Sequence, residues 1–225
     1  MIEHDVFKRK TIRFEELEKF GFIRINDGYL CKRKIFDGML ARVVVNEKGE
    51  VSGDVYDEEL GEVYVNHRLE DATGAFVTGV RNAYLAFLND IAEKISYEKT
   101  YIGDQANRIN DFFLREYGVA PEFMWKKFPH FGVYRNSVTR KWIAIIMNID
   151  KAKVSKGENG EVEVMNLKLD DQASTYLGKG VYPSYHMNHK SWVSVILDES
   201  VSDDIIERMI GISYKNSFPK TKRTK

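Results

Sequence analysis

Between Phe22 and Tyr56 the chain alternates apolar and polar residues and is cut at short intervals by turn residues: Asp27-Gly28, Asp37-Gly38 and Glu47-Lys48-Gly49-Glu50. Alternation at period two marks strands with one buried face, and turns this short join only antiparallel neighbours. The pattern returns in the second half. Residues 131–135, 141–149, 161–168 and 192–197 are strand-like, and Lys156-Gly157-Glu158-Asn159-Gly160 is a turn. Strands grouped in this way, rather than alternating with helices, argue against a parallel α/β sheet. The expected fold class is α+β, with two subdomains that each combine an antiparallel sheet with helices.

Helical spacing separates these runs. Phe7, Phe14, Leu17 and Phe20 predict a helical stripe over residues 5–20, ended by Gly21. Phe76, Val80, Tyr84, Phe87, Leu88, Ile91 and Ile95 predict a long helix over residues 74–95. A second helix spans residues 106–117, with Ile109, Phe112, Phe113 and Tyr117 on one side and Gly118 closing it. Asp170-Asp171 starts a short helix. Ser202 caps a final helix over 203–214, whose Ile205, Ile206, Met209, Ile210 and Tyr214 face inward. The polar segment 96–105 is the expected boundary. It divides an N-terminal domain, 1–100, from a second domain, 105–215, which a basic tail follows at 216–225.

Composition bounds the partners. With 43% hydrophobic residues in a chain of 225, there is enough apolar surface for a core. Lysine plus arginine equals aspartate plus glutamate at 34 each, so the chain is no polycation. The charge is unevenly spread. Residues 1–104 hold 20 acidic and 15 basic side chains, and residues 105–225 hold 14 and 19, giving about −5 and +5. A surface for nucleic acid is therefore expected on the second half. Cys31 is the only cysteine, which excludes an intramolecular disulfide and a cysteine zinc site. It is expected in or beside a strand as a small buried hydrophobe. No apolar run approaches the ~18 residues of a membrane span, and no secretion signal is expected, since MIEHDVFKRK lacks a long apolar run. A cytoplasmic protein with no membrane partner is expected.

Several stretches of the second half carry a resemblance. They are Lys141-Trp142-Ile143-Ala144, Val164-Met165-Asn166-Leu167-Lys168-Leu169-Asp170, Tyr182-Pro183-Ser184-Tyr185-His186-Met187-Asn188, Lys190-Ser191-Trp192-Val193-Ser194-Val195, Val201-Ser202-Asp203-Asp204 and Ser213-Tyr214. In this order they resemble the MmcQ/YjbR family over residues 125–214. The first half resembles the extra domain of longer members. The resemblance implies a CyaY-like "double wing" fold and DNA binding without catalysis.

The candidate phosphate contacts are Lys126, Lys127, Arg135, Arg140, Lys141, Lys168, Lys179 and Lys190, with Tyr182, Tyr185, His186 and His189 close in sequence. Arg135-Asn136-Ser137 and Arg140-Lys141 flank a tight hairpin, which would place them at a wing tip. Tyr182 and Tyr185 are equally suited to packing across a sheet. A protein-interaction or small-ligand module with no nucleic-acid role is the alternative. His186 and His189 are three apart, and in an extended segment they would point to opposite faces, so no metal site is expected. The catalytic signatures G-x-S-x-G, a phosphate-binding glycine loop and Cys–His are missing, so no catalytic residue and no cofactor are expected. His67-Arg68 reads as a surface or capping pair.

Overall fold

A computed structural model describes residues 1–219. The basic residues Lys220, Lys222, Arg223 and Lys225 of the expected tail lie outside this range. The fold is α+β and divides into two compact units, the first Met1–Lys99 and the second from Thr100 onward.

The first unit runs α1 (Ile2–Phe7), β1 (Lys10–Ile12), α2 (Phe14–Phe20), β2 (Ile23–Ile25), β3 (Gly28–Phe36), β4 (Met39–Asn46), β5 (Val51–Asp57), α3 (Ala75–Ile95) and β6 (Ser96–Glu98). Strands β2 to β5 form a meander in chain order, all antiparallel. Met39, Ala41, Val43 and Val45 alternate along β4 into the core, where they meet Val80, Tyr84, Phe87, Leu88 and Ile91 of α3. Cys31 joins this core, and burial pushes its thiol pKa up. The expected turn Asp27-Gly28 is shifted by one residue: Gly28 already pairs with Ile25. A Cβ on Gly28 would collide with the Val45 carbonyl, so only glycine lets β3 approach β4 there.

One expectation is corrected. Residues 5–20 are not a single helix, because Lys10-Thr11-Ile12 leave the helical path and pair with Ser96–Glu98. Their partner lies on the far side of the meander in sequence, so local spacing cannot reveal it. His67 is corrected as well, since its side chain is buried rather than on the surface. It stacks on Tyr64 and sits edge-on to Tyr84, with Nδ1 2.6 Å from the Tyr64 carbonyl oxygen. Beside it Glu3, 3% exposed, accepts two hydrogen bonds from Arg68 (3.0 and 2.7 Å) and one from the Tyr84 hydroxyl (2.5 Å). This cluster ties α1 to α3.

The second unit runs α4 (Asp104–Tyr117), β7 (Glu122–Trp125), β8 (Phe128–Arg135), β9 (Trp142–Asp150), β10 (Glu161–Lys168), α5 (Ala173–Tyr176), β11 (Val181–Pro183), β12 (Trp192–Ile196) and α6 (Asp203–Asn216). Its six strands form one antiparallel sheet in the order β11-β12-β10-β9-β8-β7. Side-chain alternation gives this sheet two different faces. Met165, Leu167, Val193, Val195, Ile146 and Tyr134 point toward Ile109 and Phe113 of α4 and toward Ile206, Met209 and Ile210 of α6. Val133, Ile145, Met147, Ile149, Val164 and Ile196 point the other way, where no α-helix covers them among the described residues. Trp125, Phe131, Trp142, Tyr182, Tyr185 and Met187 pack over that second apolar layer. The open face therefore carries its own aromatic cover.

Candidate nucleic-acid interface

The register decides which basic residues meet. Arg135 pairs with Trp142 across the β8–β9 hairpin, and Lys168 pairs with Trp192 across β10 and β12. Leu167 pairs with Ala144, so all four strand ends lie at the same end of the sheet. Lys168 and Trp192 share the face of Asn166 and Ser194, two residues further along each strand. Trp142 belongs to the aromatic cover of the open face, and the Arg135 guanidinium lies 5.5 Å from its ring centre. Tryptophan and cation thus alternate along one end of the open face, as Trp192, Lys168, Trp142 and Arg135. From β12 to β8 are three strand spacings of about 4.8 Å, so the row spans roughly 14 Å.

Two loops complete this end. The segment after β11 is not extended. Its His186 takes a left-handed backbone (φ 59°), and the chain folds back over the sheet. Three hydrogen bonds fasten it: Tyr185 N–H to Ser194 Oγ (2.8 Å), Ser194 Oγ to Asn166 Oδ1 (2.6 Å), and Asn166 Nδ2 to the Tyr185 carbonyl (2.7 Å). Tyr182 and Tyr185 are half-buried and pack in the aromatic cover. His186, His189 and Lys190 are exposed. The Asn188 side chain and carbonyl accept from Lys190, Ser191 and Trp192, which sets the loop at the entry to β12. Among the described residues, no three His, Cys, Asp or Glu side chains gather as a metal site requires.

The β8–β9 hairpin is the second loop. Asn136 is buried in its turn; Oδ1 accepts from the Val138 and Thr139 N–H groups (2.9 and 3.0 Å) and Nδ2 donates to Ser217 Oγ (2.7 Å). Thr139 Oγ1 donates to the Ser217 carbonyl (2.9 Å). The hairpin is thus fastened to the end of α6 and does not project freely. Asn136→Ala would leave two turn N–H groups and a buried hydroxyl without their partner. Urea denaturation is expected to show a loss of about 2 kcal/mol. A loss under about 0.5 kcal/mol would mean that water takes over the turn.

Charge is less available here than the sequence suggests. Glu122, on β7, accepts from both Arg135 (3.1 Å) and Arg140 (2.5 Å). One carboxylate against two guanidinia leaves a net positive charge, but neither arginine is free. Lys168 has Asp170 at 3.7 Å. Lys141 and Lys190 are exposed and have no carboxylate partner among the described residues. Lys126 and Lys127 do not join the group. They sit in the β7–β8 turn, beyond the far end of β8, whose seven residue steps put roughly 23 Å between that end and Arg135. Lys179 stands on the α5–β11 loop near the start of β11, away from the row.

Trp142, Glu122 and Ser217 were not candidates from the sequence, and Asn136 was expected at the wing tip, not buried in the turn. Trp142 could have been one, because a tryptophan between a basic dipeptide and an apolar strand is a recognisable stacking surface. Glu122 could not, because its role depends on the β7–β8 register.

Comparison with known proteins bears on this same unit. Residues 114–216 match the family described as YjbR. The uncharacterized protein YyaQ of Bacillus subtilis (strain 168) is 31% identical over 101 residues, 44% of this chain and 86% of that relative. The uncharacterized protein YbdF of Escherichia coli O157:H7 is 40% identical over 57 residues, 24% of this chain and 46% of that relative. A crystal structure and a solution NMR structure of a Pseudomonas syringae protein align at 30% and 28% identity, each with a TM-score of 0.47. They cover 49% and 53% of this chain and 97% of theirs. Among the described residues no helix is long and apolar enough to cross a membrane.

Proposed function

Because the chain belongs, through residues 114–216, to the YjbR family, we propose that it binds DNA without acting on it chemically, at the basic end of the open sheet face. The alternation of Trp192, Lys168, Trp142 and Arg135, with Lys141 and Lys190 unpaired beside it, carries this reading. Exposed lysines attract phosphates and release counterions, while aromatic rings between them offer faces for bases or sugars. The β8–β9 hairpin serves as the wing, and the loop bearing His186, His189 and Lys190 forms the other wall. Two unpaired lysines, with the one net positive charge left by Arg135, Arg140 and Glu122, predict about three phosphate contacts and weak binding that salt abolishes.

A mobility shift on the full chain tests this with short single-stranded and duplex DNA. With about three phosphate contacts and a slope near 0.9 per contact, raising salt from about 50 to 200 mM should weaken duplex binding roughly 40-fold. Lys141→Glu with Lys190→Glu should remove the shift at the lower salt, and Lys126→Glu with Lys127→Glu should leave it in place. No salt-sensitive shift with either DNA, or loss only in the Lys126/Lys127 variant, would overturn the assignment.

A second reading has its own observation. Phe123, Met124 and Phe128, on the β7–β8 hairpin, are each more than 40% exposed, and Met124 Sδ accepts from Arg135 (3.0 Å). That hairpin suits an apolar protein partner and needs no nucleic acid. If DNA fails to bind, it becomes the favoured surface.

A further inference from the structure

A cleft of about 440 Å³ opens between the α5–β11 loop and the start of α6. Its size is that of small-molecule sites. Tyr176, Val181, Val201 and Ile205 form apolar walls, Thr175 and Ser200 add hydroxyls, and Lys179 and Arg208 supply the charge. Among the described residues no carboxylate lines it. Arg208 Nε donates to the Asp204 carbonyl one turn back, at 3.1 Å. Neither Arg208 nor Lys179 has a carboxylate partner among the described residues. Asp203, just outside the lining, is already taken by Arg108 (2.6 Å) and Gln105 (2.8 Å).

The cleft is built rather than incidental to a loose loop. Gly178, Lys179 and Gly180 take φ values of 126°, 20° and 82°, a run of left-handed or strained backbone that turns the chain sharply. Gly178 and Val181 exchange both main-chain hydrogen bonds (3.0 and 2.9 Å), and Ile196 N–H donates to the Gly180 carbonyl (2.9 Å). A Cβ on Gly180 would collide with Ser200 Oγ and Val201, so the loop lies directly against the segment leading into α6. The backbone that carries Lys179 is therefore fixed relative to the opposite wall.

We propose that this cleft binds a small amphipathic anion: an apolar body of about one ring bearing a phosphate or carboxylate. Two cations beside a cleft without a counter-charge repel each other, and an anion between them relieves that. An inorganic anion would satisfy the charges only; the apolar walls add binding energy for a ligand that covers them. The site lies on the helix side of β11, whereas the DNA-contacting row lies on the open face, so the two proposals stand or fall separately.

Calorimetric titration of the full chain with phenyl phosphate and phenylacetate tests it, with inorganic phosphate and benzyl alcohol as controls. Both aromatic anions should bind, and each control should bind about tenfold more weakly or not at all. Lys179→Glu with Arg208→Glu should weaken both anions by about tenfold or more, because charge-assisted hydrogen bonds are lost. The milder Lys179→Gln with Arg208→Gln should weaken them in the same direction and covers any folding defect of the first variant. Lys126→Glu with Lys127→Glu should leave the affinity for both anions unchanged. If only one of the two anions binds, the headgroup it carries identifies the ligand class and the cleft assignment stands. Binding of neither anion, equal binding of inorganic phosphate, or full binding by both cleft variants would overturn it.

Discussion

Replacing Glu3 by alanine is expected to lower stability by about 3 kcal/mol. The side chain is almost fully buried, and its two oxygens take three hydrogen bonds from Arg68 and Tyr84. Without it the buried Tyr84 hydroxyl loses its acceptor, and among the described residues a half-buried guanidinium keeps only the Gly53 carbonyl and a distant Asp54. Glu3→Gln should cost less, since the amide keeps the shape and one acceptor. The same cluster gives a pH dependence. Burial raises the Glu3 carboxyl pKa, but the hydrogen bonds from Arg68 and Tyr84 outweigh this, and it lies below the ordinary 4.5. A folded-state pKa below the unfolded one means the stabilisation is complete above about 4.5 and is lost as pH falls through the depressed value. Thermal melts from pH 7 to 3 should show an acid-side decline that Glu3→Gln reduces. An unchanged acid limb in that variant would place the acid sensitivity elsewhere.

The larger loss is expected in the second unit, where Phe113→Ala should cost about 4 kcal/mol. Phe113 is fully buried on α4 and stacks on Tyr134 of β8 with ring centres 4.0 Å apart. The Tyr134 hydroxyl in turn lies 3.0 Å from both the Tyr101 hydroxyl and Asn110 Oδ1, and its pKa is raised, chiefly by burial. Removing the ring opens a cavity against a hydrogen-bonded network that cannot collapse into it. Space nearby is already used: a Cβ on Gly132 would sit on the Tyr101 hydroxyl. Urea unfolding should report the loss, while Phe113→Leu should recover about half. A loss below about 2 kcal/mol in the alanine variant would show that α4 settles onto β8 more freely than the stacking implies.

What could be read from the sequence was what chain neighbours determine. The β2–β5 meander, α3, α4, α6 and the strands β9, β10 and β12 follow from spacing and turn residues. The misses are non-local or short. Lys10-Thr11-Ile12 is a strand only because Ser96–Glu98 lies beside it. Glu122-Phe123-Met124-Trp125 lacks alternation because β7 is an edge strand with little of it buried. His67 looked exposed beside Arg68, yet Tyr64 and Tyr84 enclose its ring. For the site, the residue types were legible and their grouping was not. Sequence placed Lys126 and Lys127 with Arg135, and the length of β8 separates them. It also left Arg135 and Arg140 uncompensated, whereas the pairing of β7 with β8 brings Glu122 to both.

The fastening of the β8–β9 turn to Ser217 bears on how a ligand would be held. A loop that orders only on contact gives up conformational entropy at that moment, and its affinity is lower for it. Here Asn136 and Thr139 have already fixed the turn during folding. A phosphate chain meeting Lys141 would therefore find a rigid support, and the association should proceed with little change in heat capacity.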